Sequence, residues 1–112
     1  MQCQNKVFIM LSEKFVKNFH DEKQSLLKNY FSKSESSVSQ KIDTLNLSQT
    51  QSEIIKDILD DVVTDTMYTI LLGLTGSASI GTSQETYKIF DEEGHEIDND
   101  EIEEYAWSYF QE

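Results

Sequence analysis

A chain of 112 residues with 38% hydrophobic and 11% aromatic side chains has the size of one domain and enough aromatic carbon for one modest core, which excludes a disordered polypeptide. Its formal net charge is −12 and all nine basic residues are lysine, so polyanions (nucleic acid, anionic membrane) are repelled and Arg-dependent phosphate chemistry is excluded. The single Cys3 excludes an internal disulfide, and no apolar run has the length of a membrane span or the form of a secretory leader; a cytoplasmic protein without cofactor is expected.

The charge is uneven. Residues 1–33 carry six Lys and three acids, whereas residues 34–112 carry three Lys and eighteen acids. The two parts are set either to attract each other within the fold or to bind different things.

Residues 5–31 read as an amphipathic helix, with a break allowed near His20-Asp21. Phe8, Leu11, Phe15, Phe19, Leu26 or Leu27, and Tyr30 recur at three- and four-residue steps, and Lys14, Lys17 and Lys28 fall off that stripe. Residues 32–41 contain five serines and read as a polar, flexible loop. Residues 48–72 read as a longer helix, with Ser48 as N-cap and Gln51 completing a capping box. Ile54, Ile55, Ile58, Leu59, Val62 and Val63 form its wide apolar stripe, and Glu53, Asp57, Asp60, Asp61 and Asp65 its other side. Tyr68 to Leu74 is nearly all apolar and is expected to be buried on every side, before Gly73 and Gly76 stop the helix.

Residues 85–97 read as a β-hairpin about the turn Asp91-Glu92-Glu93-Gly94, with glycine at the position that favours a positive φ. Two strands alone are marginal, so a third is expected from Ser77–Ile80 or from a partner chain. Residues 99–110 read as a last helix. Asp98 is its cap, Glu101 stands at the capping-box position, and Ile97 and Ile102 occupy the two staple positions. The inward face is Ile102, Tyr105, Ala106, Tyr109 and Phe110. The expected fold is thus one α+β domain over residues 1–112, in which two long helices and a C-terminal helix pack on a small antiparallel hairpin sheet.

Motifs for chemistry are absent or fail on spacing. Gly76 to Ser83 has the glycine spacing of a phosphate-cradling loop, but Thr82 stands where Lys is required, and a helix precedes where a strand is needed. Aligning Gly94 with the glycine of a helix–loop–helix calcium site puts Ile89 at the first ligand position, which must be an oxygen donor. His20 and His95 are the only histidines and are expected at the surface, with no metal site. No catalytic residue is assigned.

Binding is easier to place. On a helical wheel Trp107 falls about 140° from Ile102, on the same outer side as Asp100, Glu103, Glu104 and Gln111. An outward Trp ringed by carboxylates suits a basic protein partner: the indole as anchor, the acids to speed association. The second candidate is the row Asp57, Asp60, Asp61 and Asp65, whose charges repeat about 6 Å apart along one helix face and so imitate a nucleic-acid backbone.

Three stretches carry a family resemblance: Asp65-Thr-Met-Tyr-Thr-Ile-Leu-Leu-Gly-Leu-Thr-Gly-Ser-Ala-Ser-Ile-Gly81, then Tyr87-Lys-Ile-Phe-Asp-Glu-Glu-Gly94, then Glu101-Ile-Glu-Glu-Tyr-Ala-Trp-Ser-Tyr-Phe110. In layout this last half of the chain resembles small bacterial immunity proteins, among them the antidotes of contact-dependent inhibition and related polymorphic toxin systems. The resemblance implies a cytosolic, non-enzymatic protein that blocks one cognate toxin, often a nuclease with a basic cleft. It transfers no site residue. The alternative is a self-associating structural or accessory subunit, joined through open sheet edges or the apolar Tyr68–Leu74 segment.

Overall fold

The computed structural model describes residues 10–112; Cys3, Phe8 and the start of the first expected helix lie outside them. Along the chain come α1 (Leu11–Tyr30), α2 (Ser37–Thr44), α3 (Gln49–Thr75), β1 (Ile89–Phe90), β2 (Glu96–Ile97) and α4 (Asn99–Phe110). Among the described residues, four helices and a two-stranded antiparallel sheet make an α+β fold.

Helix α1 runs unbroken through His20-Asp21, where Lys17 reaches Asp21 one turn on at 2.8 Å. Its buried residues are Ser12, Val16, Lys23 and Leu27. The serine-rich stretch is not the expected loop. Ser36 caps α2 by accepting the Ser39 N–H at 3.0 Å, and the buried Ser39 hydroxyl accepts the Ser34 N–H at 3.3 Å while donating to the Ser32 carbonyl. Serines compete with the backbone inside a helix but favour its N-terminus. Here they close the α1–α2 connection, and Val38 and Ile42, one turn apart, supply the half-buried side of α2.

Helix α3 begins as its residues predict. Ser48 Oγ accepts the Gln51 N–H at 3.2 Å, and Gln51 Oε1 accepts the Ser48 N–H at 3.0 Å. It passes through Gly73 and ends at Gly76, which adopts φ 91°. Gly73 serves a different purpose from stopping the helix: the Ile80 side chain lies where a Cβ at residue 73 would stand. Nor is Tyr68–Leu74 buried on every side, since Leu71 and Gly73 are buried while Thr69 and Ile70 are exposed.

In the sheet, Ile89 pairs with Ile97 and Phe90 with Glu96. The turn closes with the Gly94 N–H donating to the Asp91 carbonyl at 3.1 Å, Gly94 having φ 87°. The third strand expected from Ser77–Ile80 does not form among the described residues. Ile80 pairs instead with Ser83 across a tight turn in which Gly81 has φ 64°. The lead-in to β1 is held to α3 by the Tyr87 N–H, which donates to the Leu74 carbonyl at 3.0 Å.

Helix α4 packs against both α1 and α3. Asp98 caps it by accepting the Glu101 N–H at 3.0 Å, though the reciprocal Glu101 arm of a capping box is not made. The Asp98 N–H donates to Ser12 Oγ at 3.2 Å, tying the start of α4 to the start of α1. Ile97 and Ile102, the staple pair, join Val16, Leu71, Ala106 and Phe110 in the buried core. Each large member contributes about 1.5–3 kcal/mol by leaving water. Phe15, Phe19, Met67, Tyr68, Ile89, Tyr105 and Tyr109 close over that cluster.

Candidate functional site

The Asp98 cap and the inward Ile102, Ala106 and Phe110 fix the rotation of α4, and that rotation turns Trp107 outward. Trp107 is 53% exposed. Asp100 and Glu104 are exposed and Glu103 is half-buried. Glu103 and Glu104 precede Trp107 by four and three residues, which puts both carboxylates one turn from the indole. Helix α4 contains no Lys, so no cation of its own answers them. The structure thus brings Asp100, Glu103, Glu104 and Trp107 together on one outer side.

The second expected row is split. Asp57, Asp61 and Asp65 are exposed, but Asp60 turns the other way, toward α1. There Lys23, only 7% exposed, donates to Asp60 Oδ1 at 3.0 Å and to Thr64 Oγ1 at 3.0 Å. The Thr64 hydroxyl donates in turn to Asp60 Oδ1 at 3.1 Å. The ammonium also lies 5.8 Å from the centroid of the Phe110 ring, within cation–π range. The hydrogen bond from Lys23 holds the Asp60 carboxyl below its ordinary pKa. Asp60 therefore belongs to the fold rather than to a free acidic face: a lysine carried inward on α1 needs an acceptor.

This inversion has a consequence for the apolar stripe of α3. At the level of residue 60 the side facing α1 is polar, occupied by Asp60 and Thr64, and the isoleucines point elsewhere. Ile54, Ile58 and Val62 are 54%, 49% and 52% exposed. They lie beside Asp57, Asp61 and Asp65. Residue pattern alone assigns them to the core; the unexpected observation is that they face solvent.

His20 is not a surface residue. It is half-buried, with its ring centroid 5.6 Å from that of Tyr109 and 5.7 Å from that of Phe110. Burial lowers its pKa, and the neighbouring Lys23 adds to the effect. Close by, the Tyr109 hydroxyl donates to Glu13 Oε2 at 2.9 Å, and burial followed by that acceptor raises the phenol pKa. His95 is exposed, with Nδ1 3.0 Å from Asp91 Oδ2 and 3.8 Å from Glu93 Oε1. Asp91, Glu93 and His95 offer donor atoms within 4.8 Å of one another. Asp91 Oδ1 already accepts the N–H groups of Glu93 at 3.0 Å and His95 at 2.8 Å. These bonds, that to the His95 backbone first, depress the Asp91 pKa and make the carboxylate the clasp of the hairpin turn.

Among the described residues, one ion pair, Lys23–Asp60, joins the lysine-rich first part of the chain to the acidic remainder; Lys17 pairs within α1. The negative charge of residues 34–112 is thus left facing solvent, where it attracts cations over a Debye length of about 8–10 Å. No described helix is long and apolar enough to cross a membrane. Comparison with known proteins finds no match, whether to family models, to curated proteins or to solved structures.

Proposed function

We propose that this chain is a non-enzymatic immunity protein of the bacterial cytosol, one that binds and neutralises a basic cognate toxin domain, such as a nuclease. The observation that carries the reading is Trp107, exposed among Asp100, Glu103 and Glu104 on a helix without cations. A large aromatic left in water is a strong anchor for a partner, because it loses little conformational freedom on docking and removes much apolar area from water. The surrounding acids steer a cationic surface toward it. A nuclease cleft, built for phosphate, offers such a surface. The toxin itself enters through the resemblance of residues 65–110 to immunity proteins.

The test is a titration of the full chain against the C-terminal domain of the protein encoded immediately upstream, at low and moderate salt. Tight binding that weakens with salt and abolishes toxicity is expected. No binding at either salt overturns the toxin reading. Self-association is the competing reading, favoured by the exposed Ile70 of the Tyr68–Leu74 segment and Phe90 of the hairpin; its signature is a doubled mass in solution.

A further inference from the structure

We infer that the outer face of α3, the ridge Ile54–Ile58–Val62 with its border Asp57, Asp61 and Asp65, is the seat of an amphipathic partner helix whose apolar stripe is flanked by Lys or Arg. The inference rests on the reading above only in taking the partner to be a basic protein, and it names a face on a different helix from the Trp107 patch.

The ridge residues stand four apart, which makes a continuous row about 12 Å long on one side of the helix. Each is about half exposed. All three are β-branched and nearly fixed at χ1 in a helix, so covering them costs little side-chain entropy. The ridge is not an edge of the core: Asp60 and Thr64, held by Lys23, occupy the side of α3 that meets α1. Toward the helix end the face continues into a shallow hollow of about 380 Å³ lined by Asp65, Thr66, Thr69, Ile70 and Ile80. A side chain from the end of a docked helix fits there.

Charge decides what covers the ridge. Asp57, Asp61 and Asp65 also repeat at four residues and run parallel to it, offset by about 60° around the helix. Lys56 is the sole cation of α3, and it lies about 160° from Ile58. A second copy of the chain laid on this ridge offers no α3 cation to either acidic row, and in the antiparallel pairing it sets the two rows face to face, which repels. A segment with Lys or Arg beside its apolar stripe pairs with the row instead. The four-residue ridge favours a helix as occupant, because such rows interdigitate with the matching grooves of a second helix.

The test uses the full chain and a synthetic helical peptide of about 18 residues, leucines on one face and lysines on both flanks, with a scrambled peptide of equal composition as control. Fluorescence anisotropy is read at low and moderate salt. The amphipathic peptide is expected to bind at least about tenfold more tightly than the scrambled one, and Ile58→Ser to remove about tenfold. Asp61→Asn with Asp65→Asn is expected to flatten the salt dependence. Circular dichroism establishes that Ile58→Ser is folded. Equal affinity of Ile58→Ser and the parent, or equal binding of the scrambled peptide, overturns the inference. So does a dimer in sedimentation that Ile58→Ser dissolves, since the ridge then holds a second copy. If the upstream toxin domain binds and Ile58→Ser leaves that binding intact, this inference alone fails. If the peptide binds at the ridge and the upstream domain does not, the toxin reading alone fails.

Discussion

Replacing Asp60 with asparagine isolates the electrostatic part of the α1–α3 contact. Asparagine keeps a carbonyl oxygen for the Lys23 ammonium and for the Thr64 hydroxyl, 3.0 and 3.1 Å away in the parent, and removes only the charge. Taking one partner from a fully buried ion pair costs about 3–5 kcal/mol, whereas an exposed pair is worth less than about 1. This pair is mixed: the Lys23 side chain is buried and that of Asp60 is nearly half exposed. Discounted for that solvent access, Asp60→Asn is expected to cost about 1–2 kcal/mol at neutral pH, seen as a fall of roughly 1 M in the urea midpoint. The pH dependence carries a sign. Lys23 depresses the Asp60 pKa in the folded protein, so the folded state resists protonation there more than the unfolded chain does. The pair's contribution is therefore complete above the ordinary aspartate value of about 4 and is lost as pH falls through the depressed folded value. His20 also weakens the fold in acid, because its lowered pKa makes protonation of the half-buried ring less favourable in the folded protein than in the unfolded chain, a loss that sets in below about pH 6.5. That effect is common to parent and variant and largely cancels in their difference. The assay is urea unfolding of both proteins from pH 7 into acid. A gap between them that is constant across that range, or absent at pH 7, refutes the assignment of Asp60 to Lys23.

Three further outcomes follow from the geometry. Gly76→Ala places a methyl group at φ 91° and against the Thr86 hydroxyl, and is expected to lower stability by about 1–3 kcal/mol in thermal unfolding. Ser12→Ala strips the Asp98 N–H of its acceptor at a part-buried site, costing about 1 kcal/mol by the same measurement. Trp107→Ala is expected to leave the unfolding free energy within about 0.5 kcal/mol, since the side chain is exposed. Against the proposed partner, the C-terminal domain encoded immediately upstream, titrated calorimetrically, it is expected to weaken binding by about 2 kcal/mol or more.

Helix boundaries are the features best read from the residues, because a cap is local chemistry. Ser48 with Gln51, and Asp98 with the Ile97–Ile102 staple, stand where the hydrogen bonds and burial confirm them. The C-terminal helix is legible in rotation as well as extent: its apolar positions point one way, leaving Trp107 with the acids. Helix α2 was hidden because Ser32 to Ser39 has the composition of a loop, and composition does not distinguish a free serine from one that caps. The third strand failed for a similar reason. Ser77–Ile80 has strand-forming residues at its end, but Gly81 turns the chain back within two residues and Ile80 settles on Gly73.

The rotation of α3 is not legible in its apolar stripe, and its cause lies partly outside the helix. The six apolar residues Ile54 to Val63 spread over about half the helix circumference, more than one neighbouring helix can cover. Either edge of that stripe was free to turn inward. Met67 and Leu71, which lie on the same side of α3 as Asp60 and Thr64 and pack in or against the core, make part of that choice, and Lys23 on α1 makes the rest. Once its ammonium is buried against Phe110, the facing side of α3 must offer oxygen, and Asp60 with Thr64 is where α3 does so. The isoleucines are then carried outward. A helix that turns a half-exposed carboxylate and a hydroxyl toward its neighbour while exposing isoleucine gives up apolar burial in the isolated chain. The free energy left in that exposed ridge, about 25 cal/mol per Å² of apolar surface, is recovered only when something covers it, and the adjoining row of aspartates sets the sign of charge that the covering segment must bear.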